Sequence, residues 1–253
     1  MPQETQEFQV SLAETKEEMR EAQALRYQVF VQEMGAQGAL VDHQDGLEKD
    51  RFDPYCDHML VRESATGRLA GVYRLMRSDQ AQSAGGFYSE SEYDHSVLKR
   101  SGRRLLELGR SCLHPDFRGG PALFHLWTGL AEYVHRHEIE ILFGVASFPG
   151  TDVAALAEPL TLLRRAYLAP EDLRSRSNSY QEMDLIGARD PERRQAMLAM
   201  PSLIKAYLRL GGTVGDGAFV DHDFNTTDVC LVLDTKLMNA RQKRLYAGQG
   251  KTT

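Results

Sequence analysis

The 253-residue sequence has no apolar run approaching the ~18–20 residues that cross a bilayer. Its opening, Met1 to Lys16, is polar and acidic. It lacks both a basic n-region and an apolar h-region, so it does not read as a signal peptide, and a cytoplasmic protein is expected. Cysteine is scarce: Cys56, Cys112 and Cys230 are odd in number, far apart and free of any CxxC spacing. That argues against a disulfide framework or zinc knuckle and leaves three reduced thiols read as core. Basic side chains are outnumbered, 30 against 36 acidic, for a net charge of −6. This speaks against general nucleic-acid binding while leaving room for a local basic patch. Several catalytic signatures are missing too. None of the eight histidines has Asp five residues on, GVASFPG lacks the spacing of a serine elbow, and no Walker or GxGxxG pattern occurs. The pair His135 and His137 has no Cys or carboxylate at metal spacing, so it reads as surface, and no metal is expected.

What is present is globular throughout, with 42% apolar residues and no excess of Gly or Pro. Phe8, Val10 and Leu12 outline a lead-in or edge strand. Met19, Ala22, Leu25, Val29 and Phe30 recur at helical spacing between Thr15 and Met34, with Thr15 and Glu18 as a capping box. Residues 35–55 read as a long ordered loop. His58–Glu63 and Leu69–Met76, separated by Ser64–Arg68, read as a hairpin. Residues 83–99 read as loop plus a short helix. Then come a strand at 104–113, a helix at 122–135 and a buried strand at 140–147. Residues 151–200 look helical in pieces, a helix over 201–210 stops at Gly211–Gly212, and 217–220 with 228–233 form a final strand pair. The order predicts one α/β domain over 1–253, a mixed sheet with helices on both faces and a helical insertion at about 151–200.

Three constellations can carry chemistry. Glu48, Asp50 and Asp53 crowd three carboxylates into six residues, a solvated acidic loop or a clamp for arginines or a substrate ammonium. Arg26, Arg74 and Arg110 lie inside apolar segments, where an unpaired guanidinium is very costly. They are expected to pair with Glu48, Asp50, Asp53 or Glu107. Finally, Glu107-x-x-Arg110 runs into LHPDFRGGPA and a helix, so Leu113, Arg118, Gly119 and Gly120 sit where backbone N–H groups and a helix dipole favour phosphate.

Arg26, Phe30, Glu48-x-Asp50-x-x-Asp53, Arg74 and Glu107-x-x-Arg110 together resemble the framework of acyl-homoserine-lactone synthases. LHPDFRGGPA resembles the acyl-coenzyme A loop of GCN5-related acetyltransferases. The strings GVYRLM, GGFYSESEYD, LLELGRSCLHPDFRGG, ILFGVASFPGTD, PSLIKAYLRLGG and DFNTTDVCLVLD are more similar still to one branch, the ornithine N-α-acyltransferases. The likeness covers roughly residues 20–235. It implies the GCN5-related fold and acyl transfer from 3-hydroxyacyl carrier protein to the α-amine of ornithine, giving lyso-ornithine lipid. No cofactor would be permanently bound, the acyl-phosphopantetheine of the carrier being the donor. One departure stands out: Pro121 occupies the place of the glycine expected three residues after Arg118 and removes an N–H from the cradle. That suits the single phosphodiester of a carrier better than the pyrophosphate of coenzyme A.

On this reading Glu107 is the base that accepts the amine proton, with Arg110 and Arg74 completing the catalytic set and Arg26, Glu48, Asp50 and Asp53 holding substrate. Amine attack needs no covalent intermediate, so Cys112 reads as structural. Lys99, Arg100, Arg103 and Arg104 form the densest basic stretch, either a solvated turn or a dock for an acidic carrier. Phe87, Tyr88, Leu126, Trp127 and Phe148 are candidates for an acyl tunnel or plain core. The helix of Leu203, Ile204, Tyr207, Leu208 and Leu210, with Lys205 and Arg209, reads as a core helix or a peripheral contact with the inner membrane face. Two alternatives stay open: another acceptor such as glutamine, or a non-catalytic carrier- or lipid-binding module on the same fold.

Overall fold

The computed structural model describes residues 7–37, 41–240 and 242. Strand β1 (Phe8–Leu12) lies at an edge of the sheet, where Phe8, Val10 and Leu12 alternate with polar residues. Helix α1 (Lys16–Arg26) starts on the predicted capping box: Thr15 Oγ1 accepts from Glu18 N at 3.1 Å, and Glu18 accepts in return from Thr15 N at 3.1 Å. The helical pattern to Met34 is met in two parts, because the backbone switches to a π-helical stretch at Tyr27–Glu33. Inside the 35–55 loop a short hairpin, β2 (Val41–Asp42) and β3 (Leu47–Glu48), and a 3₁₀ turn at Asp53–Tyr55 supply order.

The predicted hairpin is β4 (Asp57–Glu63) with β5 (Leu69–Arg77). Helix α2 (Ser78–Ala84), absent from the sequence reading, follows directly, then β6 (Tyr93–Asp94) and α3 (Ser96–Arg100). Next come β7 (Leu105–Leu113), α4 (Ala122–Arg136) and β8 (Ile141–Pro149), each within two residues of expectation. The 151–200 segment is α-helical at α5 (Ala157–Ala166) and α6 (Arg193–Ala199), with 3₁₀ turns at Val153–Leu156 and Glu171–Leu173 and with β9 (Arg176–Ser177) between the two helices. The chain continues with α7 (Ser202–Arg209), β10 (Thr213–Val214), β11 (Phe219–Asp221) and β12 (Thr226–Asp234). Gly211, at φ 91°, reverses the chain after α7, and Gly212 N closes the turn on Tyr207 O at 2.9 Å.

These elements make an α/β fold, a mixed sheet flanked by helices. Contacts divide the described residues into two compact units, one from residues up to Ala84 with Leu108–Glu138, the other from Gly85–Glu107 with residues 139–242. In the first unit, β1 and β5 both pair antiparallel with β4. Successive residues of β4 point to opposite faces. Leu60 joins Ala22, Leu25 and Val29 of the α1 arm, with Val72 and Cys112, in one core cluster. Met59 faces α4, where Gly129 lets the helix approach so closely that a Cβ there would lie 2.5 Å from Val10 Cγ1. Helices therefore cover both faces, as the element order predicts. In the second unit, β8 runs parallel to Leu105–Glu107 and antiparallel to all of β12. Ile204, Tyr207, Leu208 and Leu210 are buried, so the apolar side of α7 belongs to this unit's core.

Candidate active site

The acidic loop folds around arginines. Arg26, at the end of α1, reaches Glu48 Oε2 at 2.6 Å and Asp53 Oδ2 at 2.8 Å. Arg74, in mid β5, contacts Asp53 at 2.8 Å and Asp50 at 2.7 Å. Arg110 on β7 closes the circuit, with Nε 2.9 Å from Glu48 and Nη2 3.4 Å from Asp50. Three guanidiniums and three carboxylates thus alternate in a ring, each touching two of opposite sign, and no side chain in it is more than 9% exposed. The expected pairing is met by Glu48, Asp50 and Asp53. Burial alone would raise the Asp53 carboxyl, but Arg26 and then Arg74 outweigh it and hold it below the usual carboxylate range. Arg74 and Arg110 do the same for Asp50. Gln23 adds a 2.9 Å hydrogen bond to Asp53 Oδ2, and buried His58, which burial keeps neutral, donates from Nε2 to Asp53 O at 3.0 Å. Arg110 is one of three described non-glycine residues at positive φ, 53°. That uncommon backbone geometry at a ring member is a local cost which the two ion pairs offset.

Glu107, in the second unit, is held differently. Its Oε2 accepts from Tyr88 N at 2.8 Å, and its Oε1 accepts from Ser89 N at 2.8 Å and from Ser89 Oγ. Ser89 Oγ lies 2.9 Å from His95 Nε2, and His95 Nδ1 lies 2.8 Å from Ser175 Oγ. Since the Ser89 hydroxyl donates to Glu107, the imidazole must donate from Nε2 and accept from Ser175 at Nδ1. Burial lowers the His95 pKa from 6.5 to about 4, so the ring is neutral near pH 7. The edge of Phe143 packs against both His95 and Phe87, with ring centroids 4.9 Å apart in each case. A hydrogen-bonded file of Ser175, His95 and Ser89 therefore ends on a buried carboxylate. Ser89, His95 and Ser175 escaped the sequence reading. Only the tertiary pairing of β6 with β9 brings Ser175 near His95, and no local spacing announces it.

The strand–turn–helix element appears where expected. Leu113 ends β7, Gly119 takes φ 76° and Pro121 is the residue before the first turn of α4. Arg118 donates from Nε to Leu113 O at 3.2 Å and forms a forked pair with Glu33, whose Oε2 lies 2.7 Å from Nη2. Both partners are about two-fifths exposed, so this pair is weak and open to exchange. Of the basic stretch, Arg103 is engaged by Asp234 at 2.5 and 2.6 Å, Lys99 reaches Glu90 at 2.8 Å, and Arg100 and Arg104 are exposed. Cys112 lies in the core, and burial pushes its thiol up to about 12. Phe87, Leu126 and Phe148 are core as well.

A family model described as an acetyltransferase (GNAT) domain matches residues 25–128. The L-ornithine N(alpha)-acyltransferase of Rhodobacter capsulatus is 54% identical over 244 residues, 94% of each chain. That of Brucella abortus is 41% identical over 96% of this chain and 89% of its own. Among solved structures, FeeM, an N-acyl amino acid synthase from uncultured soil microbes, superposes with a TM-score of 0.57 at 14% identity, covering 98% of this chain and all of its own. The acyl-homoserine-lactone synthase LasI gives 0.53 at 17% identity, covering 96% of each. Identities that low speak for the fold alone, but the first two span nearly the whole sequence: the chain belongs to the L-ornithine N(alpha)-acyltransferase family.

Proposed function

We propose that this chain transfers a (3-hydroxy)fatty acyl group from the phosphopantetheine thioester of an acyl carrier protein to the α-amine of L-ornithine, forming lyso-ornithine lipid. The observation that carries the reading is the buried Glu107 carboxylate, fixed by Tyr88 and Ser89, in a chain that shares 54% identity with a named ornithine acyltransferase. The α-ammonium of ornithine gives its proton to Glu107, directly or through the Ser89 hydroxyl. The free amine attacks the thioester carbon, the C–N bond forms, and the C–S bond breaks. The pantetheine thiolate leaves and takes up a proton. No enzyme nucleophile is needed, in keeping with the inert thiol of Cys112.

In this scheme Arg110, the ring member with the largest side-chain exposure, meets substrate. Arg26, Arg74, Glu48, Asp50 and Asp53 are positioning residues that fix it. Leu113, Arg118, Gly119 and Gly120 receive the phosphopantetheine phosphate, which displaces Glu33 from Arg118. Lys99, Arg100 and Arg104 face the acidic carrier, while Arg103 braces the segment through Asp234. Among the described residues no helix is long and apolar enough to cross a membrane. We assign the reaction to the cytoplasm and release of the amphiphilic product to the inner membrane face.

The test is direct. Purified protein is incubated with 3-hydroxypalmitoyl carrier protein, or the matching coenzyme A thioester, and separately with ornithine, glutamine, lysine, glycine or S-adenosylmethionine. Mass spectrometry should find Nα-acyl-ornithine, formed fastest from the carrier. Transfer only to another acceptor would refute the ornithine assignment, and no transfer to any acceptor would favour a binding module.

A further inference from the structure

Outside the residues assigned so far, the second unit gathers three carboxylates that no motif announced. Glu92, Asp221 and Asp228 each place an oxygen within 4.8 Å of the other two. Glu92 and Asp228 are buried, at 5% and 4% exposure, and Asp221 is half-buried. The backbone fixes this arrangement. Glu92 caps the 3₁₀ turn Tyr88–Ser91, with its N–H on Ser89 O at 3.0 Å and its carbonyl accepting from Asn178 N at 2.8 Å. Tyr93 OH, on the next residue, ties β6 to Asp228 O at 3.0 Å. Asp221 Oδ1 holds the β11–β12 turn through Asp223 N and Phe224 N at 2.8 and 2.9 Å.

A second observation points to a ligand. Thr226 is only 3% exposed, and its hydroxyl has no hydrogen-bond partner among the described residues. Asp221 is its antiparallel cross-strand partner, and Asp228 lies two residues on. Cross-strand partners share a face, and so do residues i and i+2, so Thr226 shares the face of Asp221 and Asp228. Buried hydroxyls left without a partner cost free energy, and crowded carboxylates repel. A small cation placed among them relieves both.

We infer that Glu92, Asp221, Asp228 and Thr226 bind the side-chain δ-ammonium of the acceptor amino acid and so decide which of its two amines is acylated. The inference rests on the ornithine reading and deepens it. A primary ammonium carries three N–H donors, one for each carboxylate. Among carboxylates it stays protonated and therefore non-nucleophilic, while the α-amine is free to lose its proton. The spacing agrees. Ser89, which holds Glu107, and Glu92 lie three residues apart on one 3₁₀ turn, about 6 Å along its axis. The five bonds between the two nitrogens of ornithine span roughly 6 Å when extended.

The experiment compares kcat/KM for ornithine and norvaline, the same chain without the δ-amine, in wild type, Asp221→Asn and Glu92→Gln, with tandem mass spectrometry locating the acyl group. Wild type should favour ornithine by about 100-fold or more and give Nα product only. Each variant should lose about 10- to 100-fold of that preference through KM, as removal of a charged hydrogen bond implies, and some Nδ product should appear. A wild-type preference near one overturns the proposal whatever the variants do. So does an unchanged preference in Asp221→Asn with native circular dichroism. Recovery of chelator-treated wild type by Ca²⁺ or Mg²⁺, lost in Asp221→Asn, would give the cluster to a metal and overturn it equally. If wild type acylates norvaline or glutamine but never ornithine, the broader reading falls too, and the two failures are thereby told apart.

Discussion

Replacing Asp53 by Asn tests the ion-pair ring. Asp53 joins Arg26, at 2.8 Å, to Arg74, also at 2.8 Å, with its side chain 3% exposed. Asn keeps the size and one acceptor but removes the charge, leaving three guanidiniums to share Glu48 and Asp50. Removing one partner of a buried pair costs about 3–5 kcal/mol. Arg26 keeps Glu48 at 2.6 Å and Arg74 keeps Asp50 at 2.7 Å, so the lower end, about 3 kcal/mol, is expected here. In urea, with a slope of about 3 kcal/mol/M for a chain of this size, the midpoint should fall by roughly 1 M. The control is Asp45→Asn, which breaks the exposed Arg20–Asp45 contact of 3.5 Å and should cost less than about 1 kcal/mol. Adding Arg74→Met to Asp53→Asn restores the balance of two cations and two anions. The double variant should then cost less than the sum of the singles by 1 kcal/mol or more, a coupling expected only of groups in one network. An Asp53→Asn midpoint indistinguishable from that of Asp45→Asn, or strict additivity, would refute the ring as a cooperative unit. The sign with pH follows as well. Asp50 and Asp53 have lowered folded-state pKa values, so their stabilisation is present above the ordinary carboxylate range and is lost as pH falls below about 4.

Glu107→Gln should lower kcat by about 10²–10⁴-fold with a smaller change in KM, read by product formation under saturating donor. His95 stays neutral in the fold down to about 4, against 6.5 when unfolded. Between these limits only the unfolded chain takes up the proton, so stability should fall by about 3 kcal/mol as pH drops from 6.5 to 4. A His95→Gln variant should lose that part of the slope in thermal melts. Charge reversal at Arg100 and Arg104 should raise KM for acyl carrier protein in a salt-dependent way. Arg103→Glu should instead lower thermal stability, because it sets two carboxylates, its own and Asp234, against each other. Cys112→Ala should keep kcat within about twofold, its cost appearing as lost core packing in denaturation curves.

What could be read from the sequence was local or forced by cost. The Thr15–Glu18 capping box, the Ser64–Arg68 turn and the stop at Gly211–Gly212 depend on residues within a few positions of one another. The arginine pairing was legible for a different reason: guanidiniums in apolar strands have few affordable fates, and one acidic loop stood nearby. Helix α2 was not legible, because its polar residues carry no apolar stripe and tertiary contact with β5 stabilises it. Nor were the Ser89–His95–Ser175 file and the Glu92–Asp221–Asp228 cluster. Each joins residues far apart in sequence through register, as Tyr93 reaches Asp228 O across 135 positions. A one-residue slip in β12 would turn Thr226 and Asp228 to the other face.

The two modes of holding carboxylates also decide where chemistry can sit. Asp50 and Asp53 each lie against two guanidiniums, which stabilise the anion so strongly that neither is suited to take a proton from an amine. Glu107 accepts from the backbone amides of Tyr88 and Ser89 and from the Ser89 hydroxyl, which set its position. In the proposed mechanism the base is therefore Glu107 and neither Asp50 nor Asp53. The left-handed backbone at Arg110 persists because two ion pairs hold its side chain on the ring. Weakening the ring should then lower kcat less than removing Glu107 does, while lowering stability more.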